Sequence, residues 1–288
     1  MQRQKIDIVC GQEGRRPTSA LQRWDSNELL ICGKPDPPTA GNNRQKDGNF
    51  FILNEAWTSA WMQGGKQVQR LGPRLITIRI PLKGGLHLYL INAHAYDKRP
   101  GNEASRRAFD RRLHLALSRK KHDDIMVLAG DFNASLGVAA AGTRDSVRGN
   151  HGIAHVDLPG RELAATAALH GLVDLTSQQP QHMPATFFDH RSQLPKQLDR
   201  IFVDSRHLPL VNKCVIASMI VDSDHESVRL NIQLRKPPPP PRTARKEMSL
   251  RDVRRPQPVR ASCSRRKRGR EDCQRCSQGV SPPTQHSR

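Results

Sequence analysis

Two segments each place a carboxylate beside a second polar side chain at the end of an apolar run. In the first, residues 126–129 are apolar and are followed by Gly130, Asp131, Phe132 and Asn133. Because an ionised carboxylate is costly to bury, we expect Asp131 at a strand end, at the mouth of a cleft. Asn133, two residues on, is expected on the same face. Such a pair can handle a proton and a phosphate oxygen together, although a strand followed by an Asx turn has the same sequence.

The second segment ends in Ser223, Asp224 and His225, after the apolar residues 220–221. An imidazole flanked by carboxylates is held charged or oriented, although a polar surface loop would look alike. Asp199 interrupts another apolar run, 197–203, and a histidine is the natural partner for a carboxylate there. The alternative is an exposed edge-strand residue paired with Arg200.

Two further apolar runs end in chemically useful side chains, Glu13 and His94. Five predicted strands therefore end in, or carry, an acid, an amide or a histidine. Loops cluster at the ends of a β-sandwich, so these side chains could meet in one cleft. Oxygen ligands without a Cys/His zinc spacing favour Mg²⁺ or Mn²⁺. Nine of the other ten histidines, all except His286, show no pairwise metal spacing on a predicted helix.

Many short strands with few helices predict two packed sheets with helices outside. By apolar content and length, we expect strands over 6–11, 28–32, 49–53, 75–80, 86–93, 124–129, 197–203 and 211–221. We expect helices over 103–120 and 161–170.

The chain is strongly basic, with 47 Lys and Arg against 27 Asp and Glu, a net charge of +20. This charge indicates an acidic partner, most commonly nucleic acid. The sequence has no run long and apolar enough for a membrane span, and its start lacks a secretory h-region. Its six cysteines are too sparse for a disulfide scaffold, so reduced thiols in a nuclear or cytoplasmic protein are predicted.

Composition changes near residue 234, where five consecutive prolines, 237–241, begin a spacer. Residues 235–288 hold 16 Lys and Arg against 4 Asp and Glu, a net charge of +12 with little apolar content. We therefore predict one domain over 1–234 and a disordered basic tail over 235–288. The cluster 265–270 is either a nuclear-import or phosphate-binding segment or a solvated charge run. Two alternatives stay open for Cys263, Cys273, Cys276 and His286. They bind zinc, or the cysteines are free thiols in a disordered tail.

The order of these motifs resembles the endonuclease/exonuclease/phosphatase superfamily. The resemblance covers residues 5–234 and rests on Gln12-Glu13, Asn92-Ala-His94, Gly130-Asp-Phe-Asn133, Leu198-Asp199 and Ser223-Asp-His225. Gly171-Leu-Val-Asp-Leu, Ala185-Thr-Phe-Phe188 and Gln197-Leu-Asp199 look most like the non-LTR retrotransposon and craniofacial-development-protein-like branch. The family fold is a four-layer α/β sandwich, and the implied reaction is metal-assisted phosphodiester hydrolysis.

The resemblance also implies roles for single residues. Asp131 matches the catalytic aspartate, and Asn133 matches an amide that binds phosphate. His94 matches a side chain that contacts the scissile phosphate. His225 matches the catalytic histidine, and Asp199 the carboxylate that orients it.

Two further carboxylates, Glu13 and Asp224, match positions at or near the metal, which is expected to be Mg²⁺ or Mn²⁺. Arg15 falls near a basic phosphate contact of some members. Family members carry a strand with an asparagine before the strand that ends in the glutamate. That strand has no counterpart here, so two neighbouring strands are expected to have open edges.

Three functions remain open at this point. The first is a metal-dependent DNA endonuclease of retrotransposon origin. The second is a catalytically inactive nucleic-acid-binding remnant, which the missing strand would favour. The third is a phosphatase of the same superfamily that acts on phosphoinositides or small phosphoesters.

Overall fold

A computed structural model of the chain describes residues 6–14, 21–23, 28–33, 48–189, 194–218 and 223–234. These residues contain fourteen strands and three α-helices. The strands are β1 (Ile8–Gly11), β2 (Leu21–Arg23), β3 (Leu29–Cys32), β4 (Phe50–Leu53), β5 (Val68–Gly72), β6 (Leu75–Pro81), β7 (His87–His94), β8 (Asp124–Asp131), β9 (Leu172–Asp174), β10 (Phe187–Asp189), β11 (Leu194–Lys196), β12 (Asp199–Asp204), β13 (Val211–Ala217) and β14 (Ser227–Ile232). The helices are α1 (Glu55–Gln63), α2 (Glu103–Ser118) and α3 (Leu158–Leu169).

Some expectations fall outside the described residues and stay predictions. They concern the tail over 235–288 with its basic cluster and cysteines, and Arg15. The predicted domain boundary at residue 234 is likewise untested.

The largest sheet has six strands in the order β5-β6-β7-β8-β12-β9. Its neighbours are antiparallel except β7 and β8, which run parallel with α2 between them in the chain. Leu88 and Leu90 of β7 face one side of this sheet, and Tyr89 and Ile91 face the other. Both faces are therefore covered, which explains why β7 and β8 have almost continuous apolar sequences.

One core lies between the six-stranded sheet and a second sheet, of order β1-β4-β3-β2. Trp57 and Trp61 of α1 are buried in this core. A second core lies on the other face of the six-stranded sheet, where α2 and α3 cover it with Leu113, Leu117 and Leu163. Two packed sheets with flanking helices confirm the predicted α/β sandwich.

Two of the edge strands in the described region lie beside the same core. Strand β1 pairs only with β4, and β14 pairs only with β13. Ile8, Cys10, Val228 and Leu230 of these two strands nevertheless pack against the same core. Every open sheet has such edges, so the loss of a strand expected from the sequence stays a prediction.

The elements differ from the sequence prediction where local signals are weak. Helix α1 was not predicted, although Asn54 caps it by accepting a hydrogen bond from the Trp57 backbone N–H at 3.1 Å. Helix α3 begins at Leu158 rather than at residue 161, because Asp157 caps it through the Gly160 N–H at 2.7 Å. Strand β13 ends at Ala217, and residues 219–221 of the predicted strand lie outside the described part.

Gly130 allows β7 and β8 to approach each other beside the strand ends. Its φ is +155°, and a Cβ placed there would lie 1.8 Å from the Ala93 carbonyl oxygen. We expect Gly130→Ala to destabilise the fold by about 3 kcal/mol or more, measured by urea unfolding. Gly142→Ala is the matched control, because Gly142 has φ +77° but open space around it, and its strain alone costs about 1–2 kcal/mol. Equal losses in the two variants would contradict the close-approach explanation.

Candidate active site

Three neighbouring strands bring His94, Asp131 and Asp199 side by side. In the pairing registers, Asp131 lies opposite His94 of β7 and opposite Asp199 of β12. Because side chains alternate along each strand, all three point to the face that packs against the second sheet. They therefore form a row at one end of the two packed sheets.

Asp131 is the most buried carboxylate of this row, with 7% of its surface exposed. Its Oδ1 accepts a hydrogen bond from the Asn133 backbone N–H at 2.8 Å, and its Oδ2 lies 3.7 Å from His94 Nε2. Burial, together with the negative charge of Asp199, raises the pKa of Asp131 to about 7. Asp131 can thus gain or lose a proton near neutral pH.

Asn133 reaches the same place by a different route from the one predicted. Strand β8 ends at Asp131, and Asn133 has a left-handed backbone with φ +46°, so strand alternation does not orient it. An Asx turn does so instead, since the Asn133 N–H binds the Asp131 carboxylate. Asn133 Nδ2 then donates to Ala95 O at 3.0 Å and to Asp131 Oδ2 at 3.2 Å. Asn133 does lie beside Asp131, as predicted, but the Asx turn rather than strand alternation places it there.

His225 and Asp199 form a hydrogen-bonded pair, with 2.8 Å between His225 Nδ1 and Asp199 Oδ2. Burial opposes protonation of His225, but this hydrogen bond and the charges of Asp199, Asp131 and Asp224 outweigh it. They raise the pKa of His225 to about 9. The imidazole is therefore protonated at neutral pH, and its positive charge interacts with the carboxylate of Asp131.

Arg200 is not the partner of Asp199. Its buried guanidinium binds Asp174 Oδ2 at 2.6 Å and the carbonyl oxygen of Gln197 at 3.2 Å. The reading of Asp199 as an exposed edge residue paired with Arg200 is therefore wrong, because β12 lies inside the sheet between β8 and β9.

The segment that carries Asp224 and His225 leads into β14. The apolar residues 220–221 that precede it in the sequence lie outside the described part of the chain. His225 is held by an isolated bridge to Phe187, and the two rings lie 4.8 Å apart between centroids.

Glu13 lies at the same end of the sandwich. The adjacent Gln12 donates a hydrogen bond from Nε2 to Asn92 Oδ1 at 2.9 Å, and Asn92 Nδ2 donates to the carbonyl oxygens of Gly11 and Phe50. Asn92 lies two residues before His94 and on the same face of β7. The buried Asn92 thus ties the end of β1 to the strand that carries His94.

Glu13 and Asp224 are both exposed, and neither belongs to a group of three close metal-ligand atoms among the described residues. Mg²⁺ commonly uses only one or two carboxylates and keeps several waters until a phosphate arrives. Exposed oxygen ligands such as these fit a hydrated ion of this kind. The donor set therefore suits Mg²⁺ better than a dehydrated zinc.

One group of three ligands does lie elsewhere in the described region. His87, Asp123 and Asp124 come close together at the opposite ends of β7 and β8. This cluster could hold a cation, but both oxygens of Asp124 already bind Arg79, at 2.7 and 2.8 Å. The guanidinium thus already supplies a positive charge there.

Thr186 connects the two halves of the His225–Asp199 pair, a role that the sequence analysis missed. Its Oγ1 accepts from the backbone N–H groups of Leu198 and Asp199 at 2.9 and 3.0 Å. Its carbonyl oxygen accepts from the Glu226 N–H at 2.7 Å. The sequence gives no signal for this role, because it depends on how β12 and the His225 segment meet.

We expect Thr186→Val to destabilise the fold by about 1–3 kcal/mol, because it leaves two backbone N–H groups without their acceptor at nearly constant side-chain volume. Urea unfolding measures the loss, and Thr143→Val is the control. Thr143 is exposed, so its replacement is expected to change stability by less than about 0.5 kcal/mol. A Thr186→Val variant as stable as the parent would show that Thr186 does not fix this pair.

Solved structures with the same fold include several nucleases. The endonuclease domain of TRAS1, a telomere-specific non-LTR retrotransposon, is 16% identical with a TM-score of 0.53, over 82% of this chain and 90% of that one. The AP endonuclease LMAP from Leishmania major is 16% identical with a TM-score of 0.56, over 82% and 80%. The 3′ phosphatase NExo from Neisseria, bound to product DNA hairpin, is 12% identical with a TM-score of 0.50, over 79% and 89%.

A comparison with curated proteins found no significant match. No described helix has the length and apolar character needed to cross a membrane. The family model of the Endonuclease/Exonuclease/phosphatase family matches residues 1–225, which include every residue of the candidate site. The chain therefore belongs to the Endonuclease/Exonuclease/phosphatase family.

Proposed function

We propose that this chain hydrolyses phosphodiester bonds with the help of Mg²⁺ and that its substrate is DNA, which it cleaves internally. The observation that carries the proposal is the row of His94, Asp131 and Asp199, completed by His225 at 2.8 Å from Asp199. A carboxylate with a pKa near 7 beside a protonated imidazole can exchange protons with a phosphate ester and its attacking water.

Each side chain has a distinct task in this proposal. Asp131 moves the proton between the attacking water and the departing oxygen. The protonated His225, oriented by Asp199, stabilises the negative charge that builds up on the phosphate oxygens. His94 and the Asn133 amide bind the same phosphate group and hold it in line with the water.

Glu13 and Asp224 are the residues that would hold the Mg²⁺ ion. The bound ion supplies polarisation of a phosphate oxygen and charge stabilisation. Mn²⁺ is expected to replace it, since both ions prefer oxygen ligands.

DNA is favoured over a small phosphoester by charge and by analogy. The net charge of +20 suits a polyanion, and counterion release makes such binding strong at low salt. The retrotransposon endonuclease and the hairpin-bound Neisseria phosphatase have the same fold and point to the same substrate class. A nuclear location would accompany this substrate.

Plasmid nicking by the full chain tests the proposal, with Mg²⁺, with EDTA, and with inositol phosphates as a second substrate. We expect nicking that EDTA abolishes and no phosphate release from inositol phosphates. Release from inositol phosphates without nicking would instead support the phosphatase. Retained DNA binding with neither activity would identify an inactive remnant.

We expect Glu13→Gln to raise the Mg²⁺ concentration required for half-maximal nicking by about tenfold or more, because a neutral amide is a weaker ligand for a hard cation. The readout is the nicking rate as a function of Mg²⁺. Glu162→Gln, an exposed glutamate on α3, is the control. An unchanged Mg²⁺ dependence in Glu13→Gln would remove Glu13 from the metal site.

A further inference from the structure

Two histidines from neighbouring helices meet on the outer side of the six-stranded sheet. His114 lies on α2, and His170 follows the last residue of α3. His114 Nδ1 and His170 Nε2 are 3.2 Å apart, and the ring planes are inclined by 48°. Both residues are half-buried, so solvent reaches them. No role in the proposed hydrolysis involves this pair.

The distance between the two nitrogens suits a shared metal ion. Zinc–nitrogen distances of about 2.0–2.1 Å place two ligands of a tetrahedral site about 3.3–3.4 Å apart. The observed 3.2 Å is close to this value, so the helices need hardly move to bind one ion. A direct hydrogen bond between two neutral imidazoles has a similar length, and the experiment below separates the two arrangements.

Thr166 supports the metal-binding arrangement. Its Oγ1 lies 3.3 Å from His114 Nε2, the ring nitrogen that faces away from His170. A histidine that binds a metal through one nitrogen generally donates the proton on the other to an oxygen acceptor. Thr166 is thus placed to fix His114 in the tautomer whose Nδ1 carries the free lone pair.

A crevice of about 270 Å³ between α2 and α3 opens beside His114. His114, Thr166, Asp110 and Glu162 contribute to its lining. Asp110 lies one helical turn before His114, on the same side of α2. The crevice therefore provides room beside His114 for the water molecules that would complete the coordination of an ion.

We propose that His114 and His170 form a binding site for a divalent transition-metal ion of the Zn²⁺ or Ni²⁺ type, which links α2 to α3. Imidazole ligands select these ions over Mg²⁺, so the site is separate from the Mg²⁺ site proposed at Glu13 and Asp224. The ion would stiffen the helical layer that covers the second core.

Thermal unfolding of the full chain with Zn²⁺, Ni²⁺ or Mg²⁺ tests the proposal. We expect Zn²⁺ and Ni²⁺ to raise the Tm by about 5–10 °C at 100 times their Kd, and Mg²⁺ to have no such effect through this pair. His114→Gln and His170→Gln should each abolish most of the rise. His122→Gln, an exposed histidine beyond the end of α2, and Cys273→Ser/Cys276→Ser should retain it.

A rise that persists in both histidine variants, or no rise with Zn²⁺ and Ni²⁺ at millimolar concentration, would overturn the proposal. Circular dichroism without metal establishes that the variants fold. EPR of bound Cu²⁺ in the unmodified chain provides a second readout, because its nitrogen hyperfine pattern reports imidazole ligands. Loss of nicking by EDTA does not bear on this site, so the two metal proposals fail independently.

Discussion

Asp131→Asn is expected to slow plasmid nicking by about 10²–10⁴-fold, because an amide cannot transfer the proton that the carboxylate carries. The position of Asp131 in the middle of the row makes this the most damaging single change expected in the site. Nicking rates at saturating Mg²⁺ measure the effect. Asp123→Asn, just before the opposite end of β8, is the control and should nick at the parent rate. A large loss in the control would instead assign the metal to the cluster of His87, Asp123 and Asp124.

The same substitution is expected to stabilise the fold at neutral pH. The pKa of Asp131 is raised from an unfolded value of about 3.9 to about 7, so the folded state favours the protonated form. The stability that protonated Asp131 contributes is fully present below about pH 4 and is lost as the pH rises through 7. Asparagine does not ionise and avoids this loss.

Urea unfolding of the parent and of Asp131→Asn between pH 4 and 8 measures the difference. We expect the advantage of the variant to grow from near zero at pH 4 to about 1–4 kcal/mol at pH 8. Opposing changes in activity and stability would mark Asp131 as a functional group held at the expense of the fold. A constant difference across this range would contradict the raised pKa.

His225→Ala is expected to slow nicking by about 10²–10⁴-fold, and Asp199→Asn by a smaller factor. Asp199 acts through His225, which it holds by the 2.8 Å hydrogen bond. The double variant should therefore be no slower than His225→Ala alone. The four rates of this double-mutant cycle, at one pH and saturating Mg²⁺, give the coupling directly.

Additive losses in that cycle would show that Asp199 works independently of His225. The loop residue His155 provides the control, since it is exposed, and His155→Ala should leave the rates unchanged. Circular dichroism and the urea midpoint of each variant separate a lost function from a lost fold.

Local sequence was sufficient to predict the strands that carry the site residues. The apolar runs before His94 and Asp131 predicted β7 and β8, because covering both faces of a sheet demands nearly continuous apolar residues. Local sequence was insufficient to predict α1 and β14, because these short segments gain their stability from packing against the first core. Asn133 was placed on the correct side for the wrong reason, since an Asx turn has the same residues as a strand that continues.

The sequence by itself determined which side chains end the strands, the α/β class and the motifs of the family. These features depend on residue type and on spacing along the chain. Tertiary structure decided the partner of His225, the role of Thr186, the raised pKa of Asp131 and the meeting of His114 with His170. Each of these depends on strand register, helix packing or burial, and side chains 26 or 56 residues apart meet only when such long-range contacts form.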